Sequence, residues 1–112
     1  MIIVNKNEGT KIPYEVNGAK ITFDDELMLN LEKLQKDFAV HKDICFDWQG
    51  DLVIGAESGR YYVAEIDIPA IEYEEVVSED EEETSAMIPL ELDMEKVVLT
   101  LWSIDNKKKV EV

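Results

Sequence analysis

Residues 61–95 constrain the fold of this 112-residue chain more than any other stretch, because they combine an alternating apolar pattern with a uniform negative charge. They contain thirteen carboxylates and no lysine, arginine or histidine. Apolar side chains recur between the carboxylates at a spacing close to two, the period of a strand with one buried and one solvated face. We call residues 61–95 the acidic segment. Its alternating apolar positions are Ile66, Ile68, Ile71, Tyr73, Met87, Leu90 and Leu92.

The acidic segment predicts two strands, over residues 66–77 and 86–94, with a bulge or sharp bend at Pro69. If the intervening loop is central, Tyr73 pairs with Leu90 and Ile71 pairs with Leu92, so that four apolar side chains share one face. We expect this face to contribute to the core. The run Glu79–Glu83 has no apolar anchor, and we expect it to be mobile.

Asn17-Gly18 lies between two alternating runs and predicts a β-hairpin with a type I′ turn, because both central residues of that turn need positive φ. All six apolar or small side chains of the predicted pairs fall on one face. The predicted pairs are Val16 with Ala19, Tyr14 with Ile21, and Ile12 with Phe23.

One amphipathic helix is predicted from Asp24 to about Val40. Leu27, Leu31, Leu34 and Phe38 follow one another at helical spacing and form a single apolar stripe. Acidic residues open the stretch, where the helix dipole favours anions.

The predicted fold class is α+β: a single helix packed on a curved, mainly antiparallel sheet, in the order β-β-β-α followed by a meander of five or six strands. Short connections favour antiparallel neighbours throughout. We expect one domain over residues 1–104 and a short, flexible basic tail over 105–112. Such an arrangement occurs in many unrelated small domains and indicates no particular family. The other predicted strands are Ile2–Asn5, Asp43–Trp48, Asp51–Ala56, Arg60–Ile68, Met87–Asp93 and Lys96–Ile104.

The charge balance excludes several classes of partner. The chain has 26 acidic and 11 basic residues, a formal net charge of −15. Direct nucleic-acid binding and binding to anionic membranes are disfavoured, because both need a basic surface. The first residues do not resemble a signal peptide, and no apolar run is long enough to span a bilayer. We therefore expect a cytoplasmic protein.

His41 and Cys45 are the only histidine and the only cysteine. On a helix they would share a face and indicate an activated thiol. However, Cys45 alternates with Ile44 and Phe46 as in a strand, so we expect a buried cysteine and a surface histidine. One histidine and one cysteine are too few for a zinc site, and Glu79–Glu83 lacks the spacing of a calcium loop. The sequence predicts no catalytic residue, metal site or cofactor.

Four aromatic residues could form a binding surface or pack in the core, and we expect core packing for most of them. They are Trp48, Tyr61, Tyr62 and Trp102.

The leading functional hypothesis is a non-enzymatic protein-binding module whose acidic hairpin meets a basic partner surface. One alternative is a DNA mimic that inhibits a nucleic-acid-binding protein, which would need carboxylates spaced like phosphates. Another is a small enzyme with catalytic carboxylates that no motif identifies. The candidate partner-binding residues are Glu74, Glu79, Asp80, Glu81, Glu82, Glu83 and Glu91.

Overall fold

The computed structural model describes residues 1–57, 59–77 and 85–105, which form ten strands, one four-residue α-helix and one 3-10 helix. The predicted α+β class is confirmed, with strands predominant and with one short helix. The helices are α1 (Leu31–Leu34) and the 3-10 helix Met94–Lys96. The strands are β1 (Ile2–Asn5), β2 (Tyr14–Asn17), β3 (Lys20–Phe23), β4 (Leu27–Asn30), β5 (Val40–Phe46), β6 (Leu52–Ile54), β7 (Tyr61–Ile68), β8 (Tyr73–Val77), β9 (Ser85–Pro89) and β10 (Val98–Leu101).

The largest sheet has five strands in the order β1-β10-β7-β5-β6. Its pairs are antiparallel except β1 with β10, which run parallel. The prediction of antiparallel neighbours throughout is therefore wrong at this edge. The reason is that β1 and β10 come from opposite ends of the described chain, so no short connection dictates their direction.

Strands β2, β3 and β4 form a second, antiparallel sheet. Tyr14 pairs with Phe23 and Asn17 pairs with Lys20, so the central turn residues are Gly18 and Ala19. Only Gly18 of these two has positive φ, at +61°, which is the pattern of a type II′ turn and not of the predicted type I′ turn. The predicted pairs are wrong by a shift of two residues. Apolar periodicity could not detect that shift, because it leaves every side chain on the same face.

The predicted helix over Asp24–Val40 is wrong in extent, because its first part is strand β4. Asp24 and Asp25 adopt φ values of +50° and +53° and make the turn between β3 and β4. The helix itself begins after Asn30, whose side chain accepts a hydrogen bond from the backbone N–H of Lys33. Phe38 of the predicted stripe is 66% exposed. Leu27, Leu29 and Leu31 also fit the period of two of a strand. Pairing with β3 stabilises the strand over Leu27–Asn30 in preference to a helix.

One apolar cluster joins the five-stranded sheet, the three-stranded sheet and α1. Ile21 and Phe23 of β3, together with Leu31 of α1, are fully buried in it. The five-stranded sheet supplies its other wall, from residues that include Ile44, Ile66, Ile68, Leu99 and Leu101.

Strands β8 and β9 form a separate two-stranded antiparallel sheet, which we call the acidic hairpin. Tyr73 pairs with Pro89 and Glu74 pairs with Ile88, one residue away from the predicted register. Every described side chain of the two strands is exposed, so the predicted contribution of an apolar face to the core is wrong here. Each face of the hairpin mixes acidic and apolar side chains, because Glu74-Glu75 and Val76-Val77 place one glutamate and one valine on either face of β8. The loop predicted to be mobile and most of the predicted basic tail lie outside the described residues.

Candidate functional site

Two of the predicted partner-binding residues, Glu74 and Glu91, lie in the described part of the chain. Glu74 lies in β8 and Glu91 follows β9, and both are exposed. The remaining predicted residues, Glu79–Glu83, lie outside the described part of the chain. The structure therefore places Glu74 on the acidic hairpin and Glu91 two residues beyond its second strand.

Apolar side chains on the acidic hairpin are exposed together with its carboxylates. Val76 and Val77 of β8, and Met87 and Ile88 of β9, are large hydrophobic residues that remain in contact with solvent. In the paired register, Glu75 lies opposite Met87, and Glu74 lies opposite Ile88. Both faces of the hairpin consequently offer negative charge beside apolar surface, a composition suited to contact with another molecule.

The base of the acidic hairpin is tied to the rest of the domain by hydrogen bonds. The backbone N–H of Ile71 donates to the carbonyl of Lys36 at 2.8 Å, and the Tyr73 hydroxyl donates to the Asp37 carboxylate. This hydrogen bond to Asp37 is the main cause of the raised pKa of Tyr73. Lys96 forms an ion pair with Glu72 at 2.9 Å. The hairpin is thus anchored at its base, and its outer part is exposed.

A second constellation, which the sequence did not predict as a site, lies on neighbouring strands of the five-stranded sheet. Strand β5 places His41 opposite Asp67 of β7, and it places Asp43 opposite Glu65. Alternation along both strands directs these four side chains to one face. His41 Nδ1 lies 2.7 Å from Asp67 Oδ1, and His41 Nε2 lies 2.8 Å from Asp43 Oδ1 and 3.5 Å from Glu65 Oε1. We call these four residues the His41 cluster.

The carboxylates favour the protonated imidazole. The hydrogen bond to Asp67 is the largest influence on the pKa of His41, burial opposes it, and Asp43 adds to it, so that the pKa lies above its usual value of 6.5. With both ring nitrogens protonated, His41 donates one hydrogen bond to Asp67 and another to Asp43. Three carboxylates around one imidazole leave the cluster negatively charged overall.

Trp102, Tyr62 and Cys45 border the His41 cluster. The indole N–H of Trp102 donates to Glu65 Oε2 at 2.7 Å, and the Trp102 ring stacks on Tyr62 with centroids 5.1 Å apart. Cys45 is buried, and its pKa is raised first by burial and then by the charges of Asp43 and Glu65. The predictions of a buried cysteine and a surface histidine are confirmed. Because a raised pKa keeps the thiol protonated, the geometry does not favour a nucleophilic role for Cys45.

The expectation of core packing for most of the four aromatic residues is wrong, because none of them is buried. Trp48 is 74% exposed and lies under the Arg60 guanidinium, at 4.1 Å from its ring centroid. Arg60 also lies over Tyr61, and Lys6 lies over Trp102. Tyr61, Tyr62 and Trp102 line a cleft of about 190 Å³. These aromatic rings pack against cations and against one another at the surface.

The sequence did contain a signal for the His41 cluster, in the spacing of His41 to Asp43 and of Glu65 to Asp67. Residues two apart on a strand share a face, so each pair was identifiable once its strand was assigned. The register that joins the pairs was not identifiable, because β6 lies between β5 and β7 in the chain.

Comparisons with known proteins do not assign a function to either constellation. No protein-family model, curated protein or solved structure matches the chain. Among the described residues, no helix has the length and apolar character needed to cross a membrane.

Proposed function

We propose that this chain is a non-enzymatic protein-binding module that docks the acidic hairpin on a basic surface of a partner protein. The observation that supports this proposal is that every described side chain of β8 and β9 is exposed and that the core cluster of the described residues includes none of their apolar side chains. A two-stranded hairpin is marginally stable in water by itself. Burial of Val76, Val77, Met87 and Ile88 against a partner would stabilise it.

The negative charge of the hairpin favours a partner with a basic surface. Glu74 and Glu75 lie beside the apolar residues, and no ion pair among the described residues includes either of them. The full acidic segment adds more carboxylates and no base. A surface rich in lysine and arginine complements this field, which steers the encounter and increases the association rate.

The first experiment locates the contact. A photo-reactive amino acid is placed at Val76 in the acidic hairpin or, as a matched control, at Met28, an exposed residue of β4. We expect cross-linking of a basic protein from Val76 at low salt and none from Met28. Cross-linking from Met28 alone, or of an acidic protein from Val76, would contradict the proposal.

The second experiment tests the charge with the captured partner. The double substitution Glu74→Lys and Glu75→Lys should lower the association rate at low salt by about tenfold, since steering changes rates by about 10- to 1,000-fold. The difference should shrink at about 0.5 M salt, where the Debye length is only a few ångströms. A rate that is independent of both charge and salt would exclude the proposed mode of binding.

The same complex tests the DNA-mimic alternative. Neighbouring residues of a strand point to opposite faces, so Glu74 and Glu75 do not form the continuous row of charges that imitates a phosphate backbone. We therefore expect duplex DNA to leave the complex intact. Competitive displacement by DNA would favour the mimic instead.

A further inference from the structure

We propose that the His41 cluster binds one divalent transition-metal ion, such as Zn²⁺, through His41 Nε2 and one carboxylate oxygen each from Asp43 and Glu65. This ion site is separate from the acidic hairpin. A ligand set of one imidazole and two carboxylates suits zinc and its neighbours in the first transition series, whereas Mg²⁺ and Ca²⁺ prefer oxygen ligands alone.

The spacing of the three ligand atoms fits a common ion. Atoms bound to one ion at about 2.0–2.2 Å lie about 2.8–3.6 Å apart in tetrahedral or octahedral geometry. His41 Nε2 lies 2.8 Å from Asp43 Oδ1 and 3.5 Å from Glu65 Oε1, and all three atoms lie within 4.8 Å of one another.

Outer partners orient two of the three ligands. Asp67 accepts a hydrogen bond from His41 Nδ1 at 2.7 Å, which fixes the tautomer that leaves Nε2 free for a metal once it loses its proton. The Trp102 indole N–H donates to Glu65 Oε2 at 2.7 Å. The other oxygen of this carboxylate, Oε1, is the one that faces His41 Nε2. Carboxylates and other groups in such outer positions are a general feature of metal sites.

The surrounding structure leaves room for water on the ion. All four residues of the cluster lie on paired strands of the five-stranded sheet, so their backbone positions are fixed by the ladder. The side chains of His41, Asp43 and Glu65 are 46%, 24% and 23% exposed. Three protein ligands on an open face can therefore be completed by water. The proton on Nε2 competes with the metal, so affinity should fall as the pH falls.

The test uses the single histidine as a reporter, because every imidazole signal in the spectrum comes from His41. Zn²⁺ is titrated into the full chain at pH 7.5 and 0.15 M salt while the ring ¹H–¹⁵N resonances are recorded. We expect a new Nε2 resonance that saturates at one equivalent, with Nδ1 still protonated. Mg²⁺ at the same concentration should leave the ring resonances unchanged.

Affinity is then measured by competition with a chelator. Glu65→Gln removes a ligand, and Glu75→Gln removes the same charge from the acidic hairpin as a matched control. We expect Glu65→Gln to weaken Zn²⁺ binding at least tenfold and Glu75→Gln to change it less than twofold. Asp67→Ala keeps all three ligands and should weaken binding by roughly 10- to 100-fold, the usual effect of losing an outer partner.

Two results would overturn the proposal. One is a ring spectrum that stays unchanged at a saturating concentration of Zn²⁺, a result obtained on the unaltered protein and therefore independent of whether any variant folds. The other is an equal loss of affinity in Glu65→Gln and Glu75→Gln, which would mean that Zn²⁺ associates with the acidic surface in general.

Discussion

Strands β7 and β8 follow each other in the acidic segment of the sequence, yet β7 contributes side chains to the core and β8 is exposed. In β7, Ala64, Ile66 and Ile68 alternate with carboxylates and are buried. In β8, the sequence Glu74-Glu75-Val76-Val77 breaks the alternation, and every side chain is exposed. β7 pairs with β10 on one edge and with β5 on the other, whereas β8 pairs with β9 alone. A period of two over residues 64–68, with strand partners on both edges, distinguishes the buried strand.

The carboxylates of the two strands differ in the same way. Glu65 accepts a hydrogen bond from Trp102, and Asp67 accepts one from His41. On the acidic hairpin, no ion pair among the described residues includes Glu74 or Glu75. The carboxylates of β7 thus have hydrogen-bond partners on the sheet, whereas Glu74 and Glu75 of β8 face solvent.

The largest expected effect comes from removing a buried side chain from β7. Ile66 is 1% exposed and Ile88 of β9 is 46% exposed. Ile66→Ala should lower the free energy of unfolding by about 2–5 kcal/mol, because it empties a core site. Ile88→Ala should change it by less than about 0.5 kcal/mol. Urea unfolding of both variants measures the difference, and similar losses would mean that the hairpin packs as tightly as β7.

The next-largest loss of stability is expected from a substitution in the turn between β2 and β3. Strand β2 is as exposed as β8, but its partner β3 contributes the buried Ile21 and Phe23 to the core, so strain at their turn affects the whole domain. A side chain at Gly18 would meet no neighbouring atom within 4 Å, which leaves the positive φ as the source of strain.

Gly18→Val should cost roughly 1–3 kcal/mol, the range for a residue forced into that region. Gly18→Asn is the matched control and should cost less, because asparagine tolerates positive φ. Thermal unfolding of the two variants measures how much each substitution lowers the stability. Equal costs would show that φ at Gly18 does not limit stability.

The ion pairs between His41 and the carboxylates of β7 should make a smaller contribution to the free energy of unfolding, and this contribution should depend on pH. Because the pKa of His41 is raised in the folded state, the fold binds this proton more tightly than the unfolded chain does. The resulting stabilisation is fully present below pH 6.5 and is lost as the pH rises through the folded pKa.

His41→Asn should therefore destabilise the protein more at pH 5.5 than at pH 8.5. The effect should not exceed about 1 kcal/mol, since these ion pairs are partly exposed and screened by solvent. Urea unfolding in the presence of a chelator measures it at each pH. If the loss of unfolding free energy caused by His41→Asn increased with pH, the raised pKa of His41 in the folded state would be contradicted.

Local patterns were sufficient to predict much of the five-stranded sheet. Strand β1 is confirmed over Ile2–Asn5. The strands predicted over Asp43–Trp48 and Asp51–Ala56 correspond to β5 and β6 with shifted ends, and Gly50 between them has a positive φ. β7 is confirmed to within one residue of the predicted start. In each case a turn residue or a short apolar run carries the information without reference to distant parts of the chain.

Features that are decided by which strands pair and in which register, whether near or far apart in the chain, could not be predicted. Leu27, Leu31 and Leu34 satisfy a helical period, but pairing with β3 makes the first of them part of a strand. The parallel pair of β1 with β10 and the meeting of His41 with Asp67 both join segments far apart in sequence. For the acidic hairpin, a register error of one residue was enough to misplace both faces.

The smallest expected effect is the response to salt, which should differ between β7 and the acidic hairpin. Thirteen carboxylates without a base repel one another in the acidic segment, and about 0.15 M salt screens charges beyond about 8–10 Å. At pH 8.5, where His41 carries the least charge, this salt should raise the melting temperature by about 1–2 °C, which corresponds to a few tenths of a kcal/mol in a domain of this size. A fall would mean that surface ion pairs hold the fold together. Because the carboxylates of β7 have partners, whereas no ion pair within the described part of the chain includes Glu74 or Glu75 of β8, hydrogen-exchange protection should increase several-fold with salt at Glu75 and Val76 and stay nearly constant at Ile66. Equal increases in both strands would show that the repulsion is distributed over the whole segment and is not concentrated in the hairpin.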